Sequence, residues 1–280
     1  MKKAIITFSG FVLLLLLIFS AYSAVKEDKK ELVNPGDPVY TYFYRTKNDA
    51  DCILIKQGGA SILIDTGEKV DAQGIITFLK EQNIETINYM ILTHADKDHI
   101  GGALDIIKNL KVEEVIKPYY SNKSEEMDLI ESEILKREIR TSHQLHMRKF
   151  SAGEISIFVY PPLEKRYSDD NNYSLATLVT HKNVKMLFPG DAKYKRLNEL
   201  LEIKWGDDIA LLKIPYHGRQ VENSKLFIET INPEFAVVTA ADADESILQA
   251  CDETGAQIFY TLKQDVGFIS DGKTLNIMEG

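Results

Sequence analysis

Apolar residues recur along most of the chain with two spacings, every second residue and every three to four residues. Short apolar runs predict strands, and helical spacing predicts amphipathic helices. The predicted strands cover residues 40–45, 51–57, 61–65, 155–160, 175–180, 185–188 and 209–214. The predicted helices cover residues 72–81, 125–138, 194–202 and 245–253. Because helices and strands alternate, the pattern by itself predicts a mixed α/β class.

Two of these helices carry more specific signals. Helix 72–81 should bury Ile75, Phe78 and Leu79, which lie on one face. Helix 125–138 is preceded by Ser124, a residue type that caps helix N-termini, and has acidic residues in its first turn.

The first residues follow a different pattern. Lys2 and Lys3 precede an uncharged, mostly apolar stretch at residues 4–21, which is typical of an export signal. The stretch is also long enough to remain as a membrane anchor. We therefore predict a signal peptide or N-terminal membrane anchor at 1–24, an exposed linker at 25–38 and one large domain at 39–280. The basic N-terminus predicts an extracytoplasmic domain, secreted or anchored to the outer face of the cytoplasmic membrane.

The composition of the chain indicates which kinds of partner it can bind. The 280 residues are 44% hydrophobic and 27% charged, as in ordinary globular proteins, and the net charge is -9. Since nucleic-acid affinity comes chiefly from lysine and arginine, this acidic chain without a basic stripe is not expected to bind DNA tightly. Two cysteines are present, Cys52 and Cys251, and we predict that both are free, buried thiols.

Candidate chemistry is concentrated in THADKDHIGG, residues 93–102, directly after the apolar run at 87–92. This segment carries His94, Asp96, Asp98 and His99. Any one of them alone would more often be a capping or solvated residue, but four at this spacing predict a metal site. Imidazoles and carboxylates suit zinc, manganese and iron. The two glycines that follow let the backbone pass close to the site and open a predicted helix, whose buried face would be Ile100, Leu104 and Ile107.

Two later strand ends also carry metal-ligand residue types. Asp191 follows strand 185–188, and His217 follows strand 209–214. Asp191 could instead cap the next helix, and His217 could be an ordinary loop histidine. His143, His146 and His181 lack carboxylates at a suitable spacing and are left out of the predicted site.

The motif H-x-D-x-D-H resembles the H-x-H-x-D-H signature of the metallo-β-lactamase superfamily, with Asp96 where the second histidine usually stands. This variant is similar to the extracellular domain of ComEC-type DNA-uptake proteins. The resemblance extends in family order from about Tyr40 to the C-terminus. It includes DADCILI (49–55), SILIDTG (61–67), NNYSLATLV (171–179), LFPGD (187–191), LLKIPYHG (211–218) and FISDGKTLNI (268–277). It implies a four-layer αββα sandwich.

The resemblance also implies a ligand set. One divalent ion would be held by Asp98, His99 and His217. Asp191 would bridge to a second ion, held by His94 and Asp96. Asp65 would brace the histidine loop.

The chain departs from the family pattern at two places. Residues 171–174 lack the third-motif histidine, and Tyr216 stands where the subgroup commonly has histidine. Asn172, Ser174 and Tyr216 become candidate substrate contacts. The oxygen-richer set favours manganese or magnesium relative to the zinc of the parent family, with one or two ions bound.

These observations predict an exported metal-dependent hydrolase of the metallo-β-lactamase superfamily. A metal-activated water would attack the substrate, and Asp98 would orient it as the catalytic residue. A phosphodiester, such as a phosphodiester polymer, is the expected substrate. The alternatives are an amide, lactone or thioester hydrolase, or a non-catalytic domain that binds a ligand at its metal site. No specific protein partner is predicted, and the membrane is contacted only through the N-terminal segment.

Overall fold

The computed structural model describes residues 33–34, 36–119 and 124–278. The predicted signal or anchor at 1–24 and most of the predicted linker lie outside the described residues. Within the described ranges, no helix has the length and apolarity needed to span a bilayer.

Fifteen strands are present in the described part of the chain. In chain order they are β1 (Val39–Phe43), β2 (Ile53–Gln57), β3 (Ala60–Ile64), β4 (Thr86–Ile91), β5 (Lys111–Pro118), β6 (Arg140–Gln144), β7 (Arg148–Ala152), β8 (Ile155–Tyr160), β9 (Ala176–His181), β10 (Val184–Phe188), β11 (Ile209–Lys213), β12 (Phe235–Val238), β13 (Gln257–Tyr260), β14 (Val266–Ser270) and β15 (Leu275–Ile277). The seven strands predicted from the sequence are all found, with ends shifted by at most two residues.

The strands form two mixed sheets. The first has the order β15-β14-β1-β2-β3-β4-β5-β6, and the second has the order β13-β12-β11-β10-β9-β8-β7. Strands β3 to β6 run parallel in the first sheet, and β10 to β13 run parallel in the second. Parallel neighbours end at the same edge of their sheet, so loops that follow them are brought together.

Seven α-helices cover the outer faces of the described structure. They are α1 (Ala72–Glu81), α2 (Lys97–Ile100), α3 (Ala103–Asn109), α4 (Glu125–Lys136), α5 (Tyr194–Leu201), α6 (Ser224–Ile231) and α7 (Glu245–Thr254). The Ser124 side chain accepts a hydrogen bond from the backbone N–H of Met127, which confirms the predicted cap of α4. The helix predicted after the metal motif begins at Ala103, and a separate short helix, α2, lies inside the motif itself.

Three apolar clusters hold these layers together. One lies between the sheets and includes Phe43, Phe188 and Phe268. A second packs α1, α3 and α4 on the first sheet, and a third packs α5, α6 and α7 on the second. The four-layer αββα sandwich is confirmed.

Two predicted core residues are only half-buried. Phe78 on α1 and Leu104 on α3 pack against the edge of their cluster, and Ile76 and Ile106 take the fully buried positions. The helices are rotated slightly from the predicted orientation because the sheet surface beneath them, not the helical period alone, selects the face that is buried.

Both cysteines are free and buried, as predicted. Burial raises the pKa of the Cys52 thiol well above its usual value and that of Cys251 to about 11. Neither thiol is therefore a nucleophile near neutral pH.

Candidate metal centre

The predicted ligand residues lie at the carboxyl ends of strands from both sheets. Residues 93–99 follow β4 in the first sheet. Asp191 follows β10, and His217 lies in the turn after β11, both in the second sheet. The site is therefore assembled where two parallel edges meet, and neither sheet carries it alone.

Four side chains form a compact cluster, Asp98, His99, Asp191 and His217, hereafter the four-residue cluster. One potential ligand atom from each lies within 4.8 Å of the others. His217 Nε2 lies 2.9 Å from Asp191 Oδ2 and 3.1 Å from Asp98 Oδ2, and His99 Nε2 lies 3.2 Å from Asp191 Oδ2. Two imidazole nitrogens and two carboxylate oxygens are a donor set suited to a divalent transition-metal ion.

His94 and Asp96 form a smaller pair beside this cluster. His94 Nε2 lies 3.5 Å from Asp96 Oδ2, and the same oxygen accepts a hydrogen bond of 3.0 Å from the Asn171 side-chain amide. Among the described residues, neither His94 nor Asp96 joins a group of three or more close metal-ligand residues. Of the six predicted metal ligands, the structure thus brings four together and leaves two as a separate pair.

Two buried imidazole nitrogens at the site lack a hydrogen-bond partner among the described residues, His94 Nε2 and His99 Nε2. Both histidines are 0% exposed. A buried polar atom without a partner is costly, and an imidazole nitrogen in this state is suited to coordinate a cation. The residues present therefore fit a divalent ion.

Asp65 orients His99 from the side away from the cluster. Its Oδ2 lies 2.8 Å from His99 Nδ1, and the carboxylate also accepts hydrogen bonds of 2.8 and 2.7 Å from the Thr93 backbone N–H and hydroxyl. The Asp65 backbone has φ 57°, in the left-handed region. With Nδ1 donating to Asp65, His99 presents Nε2 to the cluster, which is how histidine ligands are commonly held.

His217 is positioned by strained backbone. Tyr216 and His217 have φ of 50° and 49°, a conformation that costs about 1–3 kcal/mol for a non-glycine residue and is often found at functional sites. His217 Nδ1 lies 2.9 Å from the Thr239 hydroxyl, so Nε2 faces Asp98 and Asp191.

The charges of the four-residue cluster reinforce one another. Burial alone would lower the pKa of His99 and His217. The facing carboxylates, chiefly Asp191, have the larger effect, and they raise the pKa of His99 well above its usual value and the pKa of His217 to about 9. Burial would raise the pKa of Asp98 and Asp191, but the facing cations hold both far below the usual range. These shifts describe the metal-free site, in which protonated imidazoles pair with ionised carboxylates. A bound divalent ion would displace the protons of His99 and His217 and pair with the same carboxylates.

Two residues of the site were missed by the sequence analysis, Lys213 and Asp51. Lys213 is 0% exposed, and its Nζ lies 2.6 Å from Asp51 Oδ2 and 2.7 Å from Asp191 Oδ1. Burial lowers the pKa of the Lys213 ammonium, but Asp191 and Asp51 more than offset this and keep it raised. A lysine at the end of the apolar run 209–214 was the available signal, because a buried lysine needs a carboxylate partner.

The candidate substrate contacts have different surroundings. Asn172 and Ser174 are buried, and their side chains accept hydrogen bonds of 3.0 Å from the backbone N–H groups of Arg196 and Asp191. They hold the loops around the site. Tyr216 is half-buried at the rim, with Lys193 Nζ 4.1 Å from its ring centroid.

Adding Mn²⁺ or Zn²⁺ to metal-free protein is expected to stabilise the fold. Binding to the native state alone contributes about 2.7 kcal/mol when the metal concentration is about 100 times Kd. The measurement is the rise in Tm with metal concentration. His217→Ala should abolish most of the rise, whereas His146→Ala, at an exposed histidine outside the site, should retain it. An equal rise in both variants would show that the metal binds elsewhere.

Comparison with known sequences identifies relatives. A family model described as the metallo-beta-lactamase superfamily matches residues 45–238. ComE operon protein 3 of Bacillus subtilis (strain 168) is 24% identical over 245 residues, which is 82% of this chain and 30% of that protein. Recombination protein 2 of Haemophilus influenzae is 26% identical over 192 residues, 67% of this chain and 22% of that protein. The chain thus spans less than a third of either relative.

Solved structures show the same fold. Igni18, described as a metallo hydrolase from the archaeon Ignicoccus hospitalis, has a TM-score of 0.55 and 16% identity, covering 82% of this chain and 98% of that one. At this identity the likeness supports the fold alone. The family model, in contrast, matches well over half of the chain and agrees with the ComEC-family relatives. The chain therefore belongs to the metallo-beta-lactamase superfamily of metal-dependent hydrolases, and it is similar to part of ComE operon protein 3 and of Recombination protein 2.

Proposed function

We propose that the protein hydrolyses phosphodiester bonds on the outer side of the cytoplasmic membrane, with a manganese, zinc or magnesium ion held by the four-residue cluster. The observation that carries the substrate class is the oxygen-rich character of the site. Two of the four donors in the cluster are carboxylates, and in the adjacent pair Asp96 stands where the second histidine of the superfamily motif usually lies. Oxygen donors favour harder ions, which are the usual partners of phosphate oxygens.

Three residues of the cluster, Asp98, His99 and His217, have definable roles in this proposal. When bound, a divalent ion lowers the pKa of a water molecule and neutralises charge that develops on the substrate. Asp98 is partly exposed, with a side chain 31% accessible, and its low pKa keeps it ionised. In this proposal Asp98 accepts a hydrogen bond from the attacking water and so orients it. His99 and His217 are held by Asp65 and Thr239 and need no reorientation during the reaction.

A cation at the rim supports an anionic substrate. Lys193 is the N-cap residue of α5, two residues after Asp191, and its Nζ lies 3.0 Å from Asp169 Oδ2 and against the Tyr216 ring. The Lys193 side chain is 19% exposed. Burial would lower the pKa of its ammonium group, but the hydrogen bond to Asp169 outweighs this effect and keeps the pKa raised. A phosphate oxygen that enters the site would replace Asp169 as the acceptor of a hydrogen bond from the Lys193 ammonium group.

A second candidate function follows from the groove beside the site. A cavity of about 450 Å³ is lined by Ala95, Asp96, Lys97, Asp98, Ser124, Glu126 and Asp170. Four carboxylates against one ammonium group make this groove acidic, which disfavours a long polyanion unless cations accompany it. This charge favours a neutral or cationic amide, lactone or thioester as the alternative substrate.

The relatives and the N-terminus bear on the biological setting. One relative is named for recombination and the other for the ComE operon. Among phosphodiesters, these names favour nucleic acid as the substrate. Residues 1–24 support export, because they combine a basic start with an apolar stretch.

A substrate screen tests the proposal. Purified protein with Mn²⁺, Zn²⁺ or Mg²⁺ is given bis(p-nitrophenyl) phosphate, single-stranded DNA, RNA, a lactam, a lactone and a thioester. We expect metal-dependent turnover of the phosphodiesters. Exclusive turnover of the lactam, lactone or thioester would replace the proposal with the second candidate.

A rim variant sharpens this test. Lys193→Met should raise KM for a phosphodiester about tenfold, because one hydrogen bond from a charged group contributes about 1.5–3 kcal/mol. Lys195→Met, on the same helix and exposed, is the matched control. Equal KM values for Lys193→Met and the native protein would remove Lys193 from substrate binding.

A further inference from the structure

Lys213 and Asp51 form a buried ion pair beneath the four-residue cluster. Lys213 ends β11 in the second sheet, and Asp51 lies just before β2 in the first. Both are at most 1% exposed, and their charged atoms are 2.6 Å apart. The pair therefore joins the two halves of the sandwich directly under the candidate metal centre.

The Lys213 ammonium group has no freedom to turn. Its three hydrogens meet three acceptors, which are Asp51 Oδ2 at 2.6 Å, Asp191 Oδ1 at 2.7 Å and the Gly190 carbonyl oxygen at 3.1 Å. An ammonium group donates at most three hydrogen bonds, so all of its capacity is used. Its position is therefore fixed by Asp51, which precedes β2, and by Gly190 and Asp191, which follow β10.

This arrangement divides the two oxygens of Asp191 between different tasks. Oδ1 accepts from Lys213, while Oδ2 lies 2.9 Å from His217 Nε2 and 3.2 Å from His99 Nε2. A carboxylate can bind an ion through one oxygen or through both. We propose that Lys213 is a positioning residue that holds Asp191 as a one-oxygen ligand, by occupying Oδ1 and leaving Oδ2 to the ion.

The other role open to Lys213 is purely structural, as a tie between the sheets through Asp51. The two roles predict different behaviour for Asp51. If Lys213 acts on Asp191, neutralising Asp51 leaves the Lys213–Asp191 contact in place. If Lys213 only ties the sheets, loss of either charge of the Lys213–Asp51 pair has the same consequence.

Cobalt(II) binding distinguishes the two roles, because the visible spectrum of this ion depends on the number and geometry of its ligands. The metal-free protein is loaded with Co²⁺ as the native form, Lys213→Met and Asp51→Asn. We expect Lys213→Met to shift the spectrum toward higher coordination, because Asp191 can then bind through both oxygens. Asp51→Asn should shift the spectrum less than Lys213→Met, because asparagine keeps an acceptor for Lys213, although this side chain also lies 3.5 Å from His217 Nδ1.

Two outcomes overturn the proposal, a native spectrum in Lys213→Met and an equal shift in both variants. Lys213→Leu is a second variant that removes both the charge and the hydrogen-bond donor to Asp191 Oδ1, in case the methionine variant does not fold. It should show the same direction of shift. The experiment rests on the metal site and not on the phosphodiester substrate, since no substrate is added, so failure of the proposed function would leave it interpretable.

Discussion

Replacing Asp98 by asparagine is expected to lower kcat/KM by about 10³-fold, within the range that a group acting directly on the reacting water contributes. The variant removes a charged ligand of the four-residue cluster and the acceptor that orients the attacking water. Asp98 lies 3.1 Å from His217 and its side chain is partly exposed, so asparagine should fit without a cavity or a buried unpaired charge. The loss should therefore appear in catalysis and not in folding.

The measurement is kcat/KM at saturating metal on whichever substrate the native protein turns over, together with Tm and bound metal. Asp252→Asn is the matched control, since it removes an exposed carboxylate on α7. It should have native activity. Native kcat/KM in Asp98→Asn would remove Asp98 from the mechanism, whereas loss of Tm as well as activity would assign it a structural role.

The second large effect is on stability. Arg196→Met is expected to lower the free energy of unfolding by about 3–5 kcal/mol, because removing one partner of a buried ion pair leaves the other uncompensated. Arg196 is 1% exposed, and its guanidinium donates to the Ser174 carbonyl at 2.9 Å, the Tyr160 carbonyl at 2.7 Å and Glu199 at 2.6 Å. Methionine fills similar volume but satisfies none of these acceptors.

Urea unfolding of metal-free protein measures this effect. Lys195→Met is a matched control on the same helix, because its ammonium is exposed and pairs only with Glu164 at 3.4 Å among the contacts of the described chain. Such surface pairs contribute about 0–1 kcal/mol. A loss below about 1 kcal/mol in Arg196→Met would show that water replaces the guanidinium hydrogen bonds.

The elements with strong apolar patterns could be predicted from the sequence, and several strands with polar side chains could not. Helix α1 and strand β8 lie where the periodicity places them. Strand β5 was missed although it lies inside the first sheet, because charged residues interrupt its apolar run. Strands β6 and β7 were also missed. They are edge strands in which most side chains are polar and exposed, so neither carries an alternating apolar signal.

Some residues of the candidate site could likewise be predicted from the sequence, and others could not. The motif residues were visible because four of them share one short segment, and the strand-end positions of Asp191 and His217 pointed to the same edge. Asp51 and Lys213 were not visible as a pair, since they are separated by most of the domain and come from different sheets. The metal-ligand roles themselves stay predictions until the variants above are measured.

The sequence by itself predicted the class of fold, the family and the candidate metal-ligand residues, because these depend on local periodicity and on short motifs. Only the tertiary structure decided how the donors are grouped. Asp98, His99, Asp191 and His217 form one cluster, while His94 and Asp96 remain a pair. The tertiary structure also decided which oxygen of Asp191 faces Lys213. The physical reason is that these contacts join residues from two sheets, and their geometry is set by how the apolar faces of the sheets pack together.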